Sequence, residues 1–227
     1  MAIQLISTKD LARTHGVKTL VYGMAGAGKT TLCATACSPP VIISAEAGLL
    51  SLRECDFPVI QVKTLTDVHE ALKWLYQSDE AKQFDWVCVD SITEIAETVL
   101  AHEKANSRDP RAAYGNMQDQ MMTLVKAFRD LPEKNVYVSA KMARLEDIEA
   151  GTMLYQPMMP GRQLGPQLPY LFDEVFALRV EKDDEGKPYR VLQTQRDHQY
   201  DAKDRSGALE LYEAPNLCNI VKKMQGE

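Results

Sequence analysis

Apolar and polar positions along the chain follow two different periods. Compact, mostly apolar runs recur at 17–22, 41–44, 58–62, 86–89 and 135–139. They are too short for helices, and such runs read as strands, buried on both faces where the apolar stretch is unbroken. Between them, 66–77 carries apolar residues at 68, 71, 72 and 75, which is helical spacing. Residues 29–37, closed by Pro39 and Pro40, read as a helix, as do 92–105 and roughly 116–131. The alternation of strands and helices predicts an α/β domain with a mainly parallel central sheet and helices on both faces.

The two ends of the chain read differently. Residues 1–16 form a polar-leaning lead with one strand expected at 3–6. After Lys141 the periodicity stops, and Gly151, Pro157, Pro160, Gly161, Gly165, Pro166 and Pro169 predict a loop-rich stretch over 142–170. Residues 174–180 and 189–194 then read as an antiparallel hairpin turning at Glu185-Gly186, and 216–224 as a closing helix. The expectation is one domain over 1–227: the lead, a core at 17–141, the loop region at 142–170, and a sheet extension with a terminal helix at 171–227.

The 227 residues can bury a full core without dividing into two. Hydrophobic residues at 45% and charged residues at 26% exclude a disordered chain. The net charge of −6 argues against a surface coated with cations for duplex DNA. Five cysteines, none in a C-x-x-C pair, give no disulfide framework and no zinc site. Cys33 and Cys37, four apart, are expected on one buried face of the 29–37 helix. No signal-peptide pattern and no apolar run of membrane-spanning length is present. A soluble protein is expected and, from free cysteines, a cytoplasmic one.

Chemistry enters at Gly23-Met24-Ala25-Gly26-Ala27-Gly28-Lys29-Thr30, which fits G-x-x-x-x-G-K-[ST] between a strand and a helix. The glycines let backbone N–H groups turn toward phosphate oxygens, and the helix start adds partial positive charge. Gly23 through Thr31 are the expected ATP-binding residues. Lys29 is expected on the β- and γ-phosphates, and the Thr30 hydroxyl on Mg²⁺. Asp90, ending the 86–89 strand, is the acid expected to hold Mg²⁺ through water. An Asp or Ser there also suits a helix N-cap, and Ser91 follows directly. For the group that activates water, an Asp-Glu pair is absent, because Ser91 follows Asp90. Glu94 lies one helical turn on. Glu46, past the end of the 41–44 strand, opens onto the same crevice and is the preferred base.

The phosphate loop, an acid on a separate strand end (Ser44-Ala45-Glu46-Ala47-Gly48) and Asp90-Ser91 resemble the RecA-like ATPase class. Over about residues 15–215 the chain resembles phage Sak-type (fourth class) single-strand annealing ATPases. That closer likeness is carried by Asp173-Glu174-Val175-Phe176-Ala177-Leu178-Arg179, by Arg190-Val191-Leu192-Gln193-Thr194 and by Lys203-Asp204-Arg205-Ser206-Gly207. The resemblance implies a Mg²⁺-dependent, DNA-stimulated ATPase that assembles as a homo-oligomer, ring or filament, on single-stranded DNA. A single-strand-binding protein is a further implied partner. Lys203 and Arg205 would reach a neighbour's γ-phosphate as trans fingers; the alternative is a solvated turn. Lys141 stands where the family carries a polar γ-phosphate sensor, usually Gln or His.

Single strands need cations and stacking platforms. Two loops are expected to supply them: 104–114, with Arg108, Arg111 and Tyr114, and 142–169, with Arg144 and Arg162. Only about 16 residues precede the first core strand, and no DNA-gathering domain is expected to follow. The resemblance therefore points to annealing rather than strand invasion. Two rivals stay open: a nucleotide-gated loader or regulator of a recombination partner with slow ATPase, and a nucleoside or metabolite kinase with a lid drawn from Arg108 and Arg111.

Overall fold

The computed structural model describes residues 5, 7, 15–46, 48–147 and 151–226. The strand expected at 3–6 lies outside the described residues apart from Leu5, which is not in a strand. The central sheet contains β1 (Lys18–Gly23), β2 (Val41–Ser44), β3 (Val59–Gln61), β4 (Trp86–Asp90), β5 (Asn135–Asp147) and β7 (Glu174–Lys182), all parallel in the order β3-β2-β4-β5-β1-β7. Beyond β7 the sheet turns antiparallel through β8 (Pro188–Gln193) and β10 (Tyr212–Glu213). Two strands lie off this path. β6 (Thr152–Pro157) pairs with the far half of β5, and β9 (Lys203–Asp204) with the start of β7.

Strand alternation divides the core between two faces. Leu20 and Tyr22 point to one and Val21 to the other, and the same split separates Ile43 from Ile42 and Val87 from Cys88. The first face is covered by α2 (Leu65–Gln77), α3 (Ile92–Asn106) and α4 (Pro110–Arg129). The second is covered by α1 (Lys29–Leu32), one helical turn, and by α6 (Leu217–Gln225). α5 (Leu164–Gln167) is a single turn after β6. Each longer helix begins on a side-chain cap. Thr64 and Asp67 form a reciprocal capping box on α2, and Ser91, Asp109 and Asn216 cap α3, α4 and α6.

Three expectations change. α4 begins at Pro110, not near 116: Asp109 caps it, Pro110 occupies the first turn, and Ala113, Met117, Met121, Leu124, Val125 and Phe128 form its buried stripe. The predicted 104–114 loop is therefore the end of α3, a short connection at 107–109 and the start of α4. The 142–170 stretch is not open loop either, because β5 runs through Met142 to Asp147 and returns as β6, with Met142 opposite Pro157. The third is the 29–37 helix, which ends at Leu32 and continues as a 3₁₀ turn over Cys33–Thr35. Cys33 is buried beside Cys88, whereas Cys37 lies past the turn and forms a disulfide with Cys218 of α6, 4.6 Å apart at Cα. Cys37 and Cys218 are thus not free thiols, and the compartment argument retains only Cys33, Cys55 and Cys88. Among the described residues no helix is long and apolar enough to cross a membrane.

The hairpin behaves as its sequence requires. Asp183 accepts from the Glu185 and Lys187 amides, and Gly186 takes the positive φ of +78° that turns the chain.

At the start of β7, Glu174 is fully buried, and its Oε2 finds no donor among the described residues. Burial first, then the charge of Asp204 and a hydrogen bond to it, raise the Glu174 pKa from 4.5 to about 8. The folded state therefore holds a proton that the unfolded chain releases. The stabilisation is full below the unfolded pKa and is lost as pH rises through about 8. Burial lowers the nearby Lys18 pKa to about 8, so its linkage acts above that pH. Denaturant titrations from mildly acid to mildly alkaline pH should show stability falling by up to about 1.4 kcal/mol per pH unit from Glu174 alone. Glu174→Gln should remove that slope; an unchanged pH profile in the variant would refute the assignment.

Candidate nucleotide site

The phosphate loop leaves the C-terminal end of β1 at the middle of the sheet. Gly26 and Gly28 have φ of +76° and +105°, a region that side chains disfavour. Gly23 is required for a different reason: a Cβ there would lie 2.8 Å from the Leu178 carbonyl oxygen on β7. The loop closes around its own lysine, whose amine donates to the carbonyls of Gly23 at 2.9 Å and Met24 at 3.1 Å. Burial lowers the Lys29 pKa, opposed by the Glu46 and Asp90 carboxylates. From β5, the Tyr137 hydroxyl donates to the Lys29 carbonyl at 2.7 Å and fixes the start of α1. Because α1 is one turn long, its dipole contributes less than a long helix would, and the loop amides and Lys29 supply most of the positive field.

Asp90 is 2% exposed and ends β4. Its two oxygens accept from two hydroxyls: Thr30 Oγ1 to Oδ2 at 2.6 Å, and Ser139 Oγ to Oδ1. Ser91 caps α3, accepting from the Glu94 amide, so the cap and the buried acid are adjacent residues rather than alternatives for one position. Glu46 reaches the same end of the sheet because β2 pairs with β4 with Ser44 opposite Asp90. It is held from both ends. Ser91 Oγ donates to its carboxylate at 2.9 Å, and Ser44 Oγ to its backbone carbonyl at 2.7 Å.

Together these groups line a cleft of about 600 Å³, with Gly23, Gly28, Lys29, Thr30, Thr31, Glu46, Lys141 and Arg190 on its walls. A nucleoside triphosphate with Mg²⁺ fits this donor set. Thr30 gives its proton to Asp90, which leaves the hydroxyl oxygen free to ligate a hard cation. Among the described residues no group of three or more His, Cys, Asp or Glu side chains is gathered. Bound there, Mg²⁺ would neutralise charge developing on the phosphates. Lys29 and the loop would then hold the phosphates, and Glu46 stands at the cleft wall, where a carboxylate would be placed to accept a proton from water.

Lys141 lies opposite Gly23 in the β1–β5 register and also lines the cleft. Its amine is paired with Glu94, and with Glu97 at 3.3 Å; the hydrogen bond it donates to Glu94 is the main cause of its raised pKa. Glu94 is thus occupied by Lys141, while Glu46 lines the cleft.

Lys203 and Arg205 sit elsewhere. β9 pairs with the start of β7, with Lys203 opposite Val175, whereas the phosphate loop adjoins the middle of that strand, with Gly23 opposite Leu178. The Lys203 amine donates to the carbonyls of Pro169 at 2.6 Å and Phe172, and burial lowers its pKa. Arg205 pairs with Asp173 at 2.7 Å and keeps 61% of its side chain exposed. The strand that carries Lys203, β9, is two residues long and ends at Asp204, before Arg205. Neither residue lines its own chain's cleft.

The candidate DNA residues divide between two places. Arg108 and Arg111 are exposed near the start of α4, and a side chain at Gly161 would begin 3.5 Å from the ring of Tyr114, so Arg162 lies in the same neighbourhood. Lys104 lies over the Tyr114 ring at 5.1 Å. Arg144 projects instead from the β5–β6 hairpin, beside the stacked rings of Tyr155 and Tyr200, 4.7 Å apart, with the Arg179 guanidinium 4.3 Å from Tyr200.

Arg190 is a cleft residue that motif reading does not assign. Its place depends on hairpin register, and an alternating Arg on a strand looks like any solvated edge.

A strand, a glycine-rich phosphate loop and a buried Asp on a neighbouring parallel strand define a P-loop ATPase domain. A family model described as an AAA domain matches residues 15–206, and the chain belongs to that family. No curated protein matches it. Among solved structures, a KaiC-like protein from the hyperthermophilic archaeon Pyrococcus horikoshii OT3 is 14% identical, with 80% of this chain and 82% of that one covered and a TM-score of 0.42.

Removing Ser139 leaves a buried Asp90 oxygen with one donor fewer. Ser139→Ala should lower stability by about 1–3 kcal/mol and weaken Mg²⁺-nucleotide binding, read by urea denaturation and calorimetry. Unchanged stability would mean that the bond has no role.

Proposed function

We propose that the domain is a Mg²⁺-dependent ATPase that assembles on single-stranded DNA in the cytoplasm and promotes annealing or homologous recombination. The observation that carries the ATPase reading is the convergence of Lys29, Thr30, Asp90 and Glu46 at one end of the sheet. Phosphate grip, cation seat and base are then all within one cleft. The coupling to DNA is supported by continuity of the backbone. Lys141, on the cleft wall, is followed without a break by the strand that forms the β5–β6 hairpin, and the Met158 amide at the hairpin's return bonds the Lys141 carbonyl at 2.7 Å. A γ-phosphate that draws Lys141 away from Glu94 and Glu97 would shift the root of the hairpin.

Assembly is supported by the position of Arg205, exposed beside the start of β7 and outside its own chain's cleft. In a head-to-tail oligomer it is presented to a neighbour. The kinase reading loses ground, because Arg108 and Arg111 do not line the cleft.

Lys29→Ala should abolish hydrolysis; normal turnover in a steady-state phosphate-release assay would sink the enzyme reading. Single-stranded DNA should stimulate the wild-type rate. No stimulation, together with binding to a protein partner, would favour the loader reading. Mixing Glu46→Gln chains with Lys203→Ala/Arg205→Ala chains should recover part of the activity lost by each, since some interfaces regain both halves. Absence of recovery at every ratio would exclude shared sites.

A further inference from the structure

One cation in the cleft is used by neither the phosphate-loop motif nor the hydrolytic constellation. Arg190 arrives from β8, and strand register explains its place. Gly23, the last residue of β1, pairs with Leu178; Leu178 pairs with Leu192, and Val180 with Arg190. Arg190 is therefore two residues beyond the end of β1, level with the phosphate loop. It also shares strand parity with Leu192, which is buried on the sheet face that carries α1. The hairpin thus lays Arg190 across the loop from the α1 side.

The contact is close and specific. Arg190 Nε donates to the Ala27 carbonyl at 2.9 Å, and Nε and Cδ lie 3.2 and 3.3 Å from where a side chain at Gly28 would begin. Glycine at 28 is favoured by its φ of +105°, and a side chain there would crowd Arg190.

The other cleft cations are occupied. Lys29 is bonded to two loop carbonyls, and Lys141 is neutralised by Glu94 and Glu97. Arg190 has no carboxylate partner and no second hydrogen bond among the described residues. A guanidinium anchored through Nε still has its terminal N–H groups in a planar fork, the geometry that binds phosphate with two parallel bonds.

We propose that Arg190 is a polyphosphate-binding residue acting within its own chain, donating from its terminal nitrogens to the phosphates of a nucleoside di- or triphosphate. This rests on the ATP-binding reading above. The hairpin beyond β7 thereby becomes part of the nucleotide site, and ligand binding ties the antiparallel edge of the sheet to the phosphate loop.

The test is calorimetric titration of the full chain with Mg²⁺-ADP and, separately, with Mg²⁺-pyrophosphate. Arg190→Ala should weaken both ligands by about ten- to a hundred-fold, the range for hydrogen bonds to charged groups. Arg190→Lys should recover part of the loss for both, because it keeps the charge but not the fork. Arg190→Met, which keeps the aliphatic packing on Gly28, should match Arg190→Ala, and all three should melt near the wild type without ligand. ADP affinity within twofold of wild type in Arg190→Ala and Arg190→Met would overturn the proposal. So would weakened ADP with unchanged pyrophosphate, which would place the contact on the base. Lys29→Ala separates the two readings. If wild type binds, Lys29→Ala does not and the Arg190 variants are unaffected, only the Arg190 role falls. A wild-type chain that binds neither ligand removes both.

Discussion

The buried carboxylate of Asp90 is the contact on which the site depends. Taking a carboxylate out of water is unfavourable unless each oxygen is supplied with donors. Here the donors come from two other elements: Thr30 at the start of α1 and Ser139 on β5. The three residues meet only if β5 lies between β1 and β4, all parallel and in register. One polar requirement therefore links strand order to the position of the hydroxyl best placed to hold a cation. Glu46 depends on the same frame, since Ser91, directly after Asp90, holds its carboxylate.

Around this centre the fold separates rigid from responsive parts. The parallel core is apolar on both faces, and its strands are closed in by helices. The elements that meet the cleft from outside are antiparallel: the β5–β6 hairpin, rooted at Lys141, and the β7–β8 hairpin, which carries Arg190. Both hold cations that a triphosphate can attract.

Much of the architecture was legible in the sequence because it rests on local rules. Continuous apolar runs mark strands buried on both faces, 3.6-residue spacing marks α2, and Glu185-Gly186 marks a turn that needs a positive φ. The loop from Gly23 to Thr30 announces its chemistry because close approach of backbone to phosphate demands glycine. Where the reading failed, the signal was ambiguous or long-range. Asp109-Pro110 looks like a loop breaker, yet it is a cap followed by a first-turn proline, so α4 starts there. The glycines and prolines after Lys141 masked a strand whose partner, β6, supplies the missing hydrogen bonds. Cys37 and Cys218 are 181 residues apart, and no spacing rule joins them.

The sequence by itself determined the class of fold, the phosphate loop and the acids that could serve it, because each follows from the conformational limits of a few neighbouring residues. Tertiary structure alone decided which acid faces the cleft and which is taken by Lys141. It also decided that Lys203 and Arg205 lie beside the start of β7, away from the cleft, and that Arg190 reaches a loop 163 positions earlier in the chain. Those outcomes depend on strand order and register. A shift of one residue in β8 would turn Arg190 to the other face of the sheet.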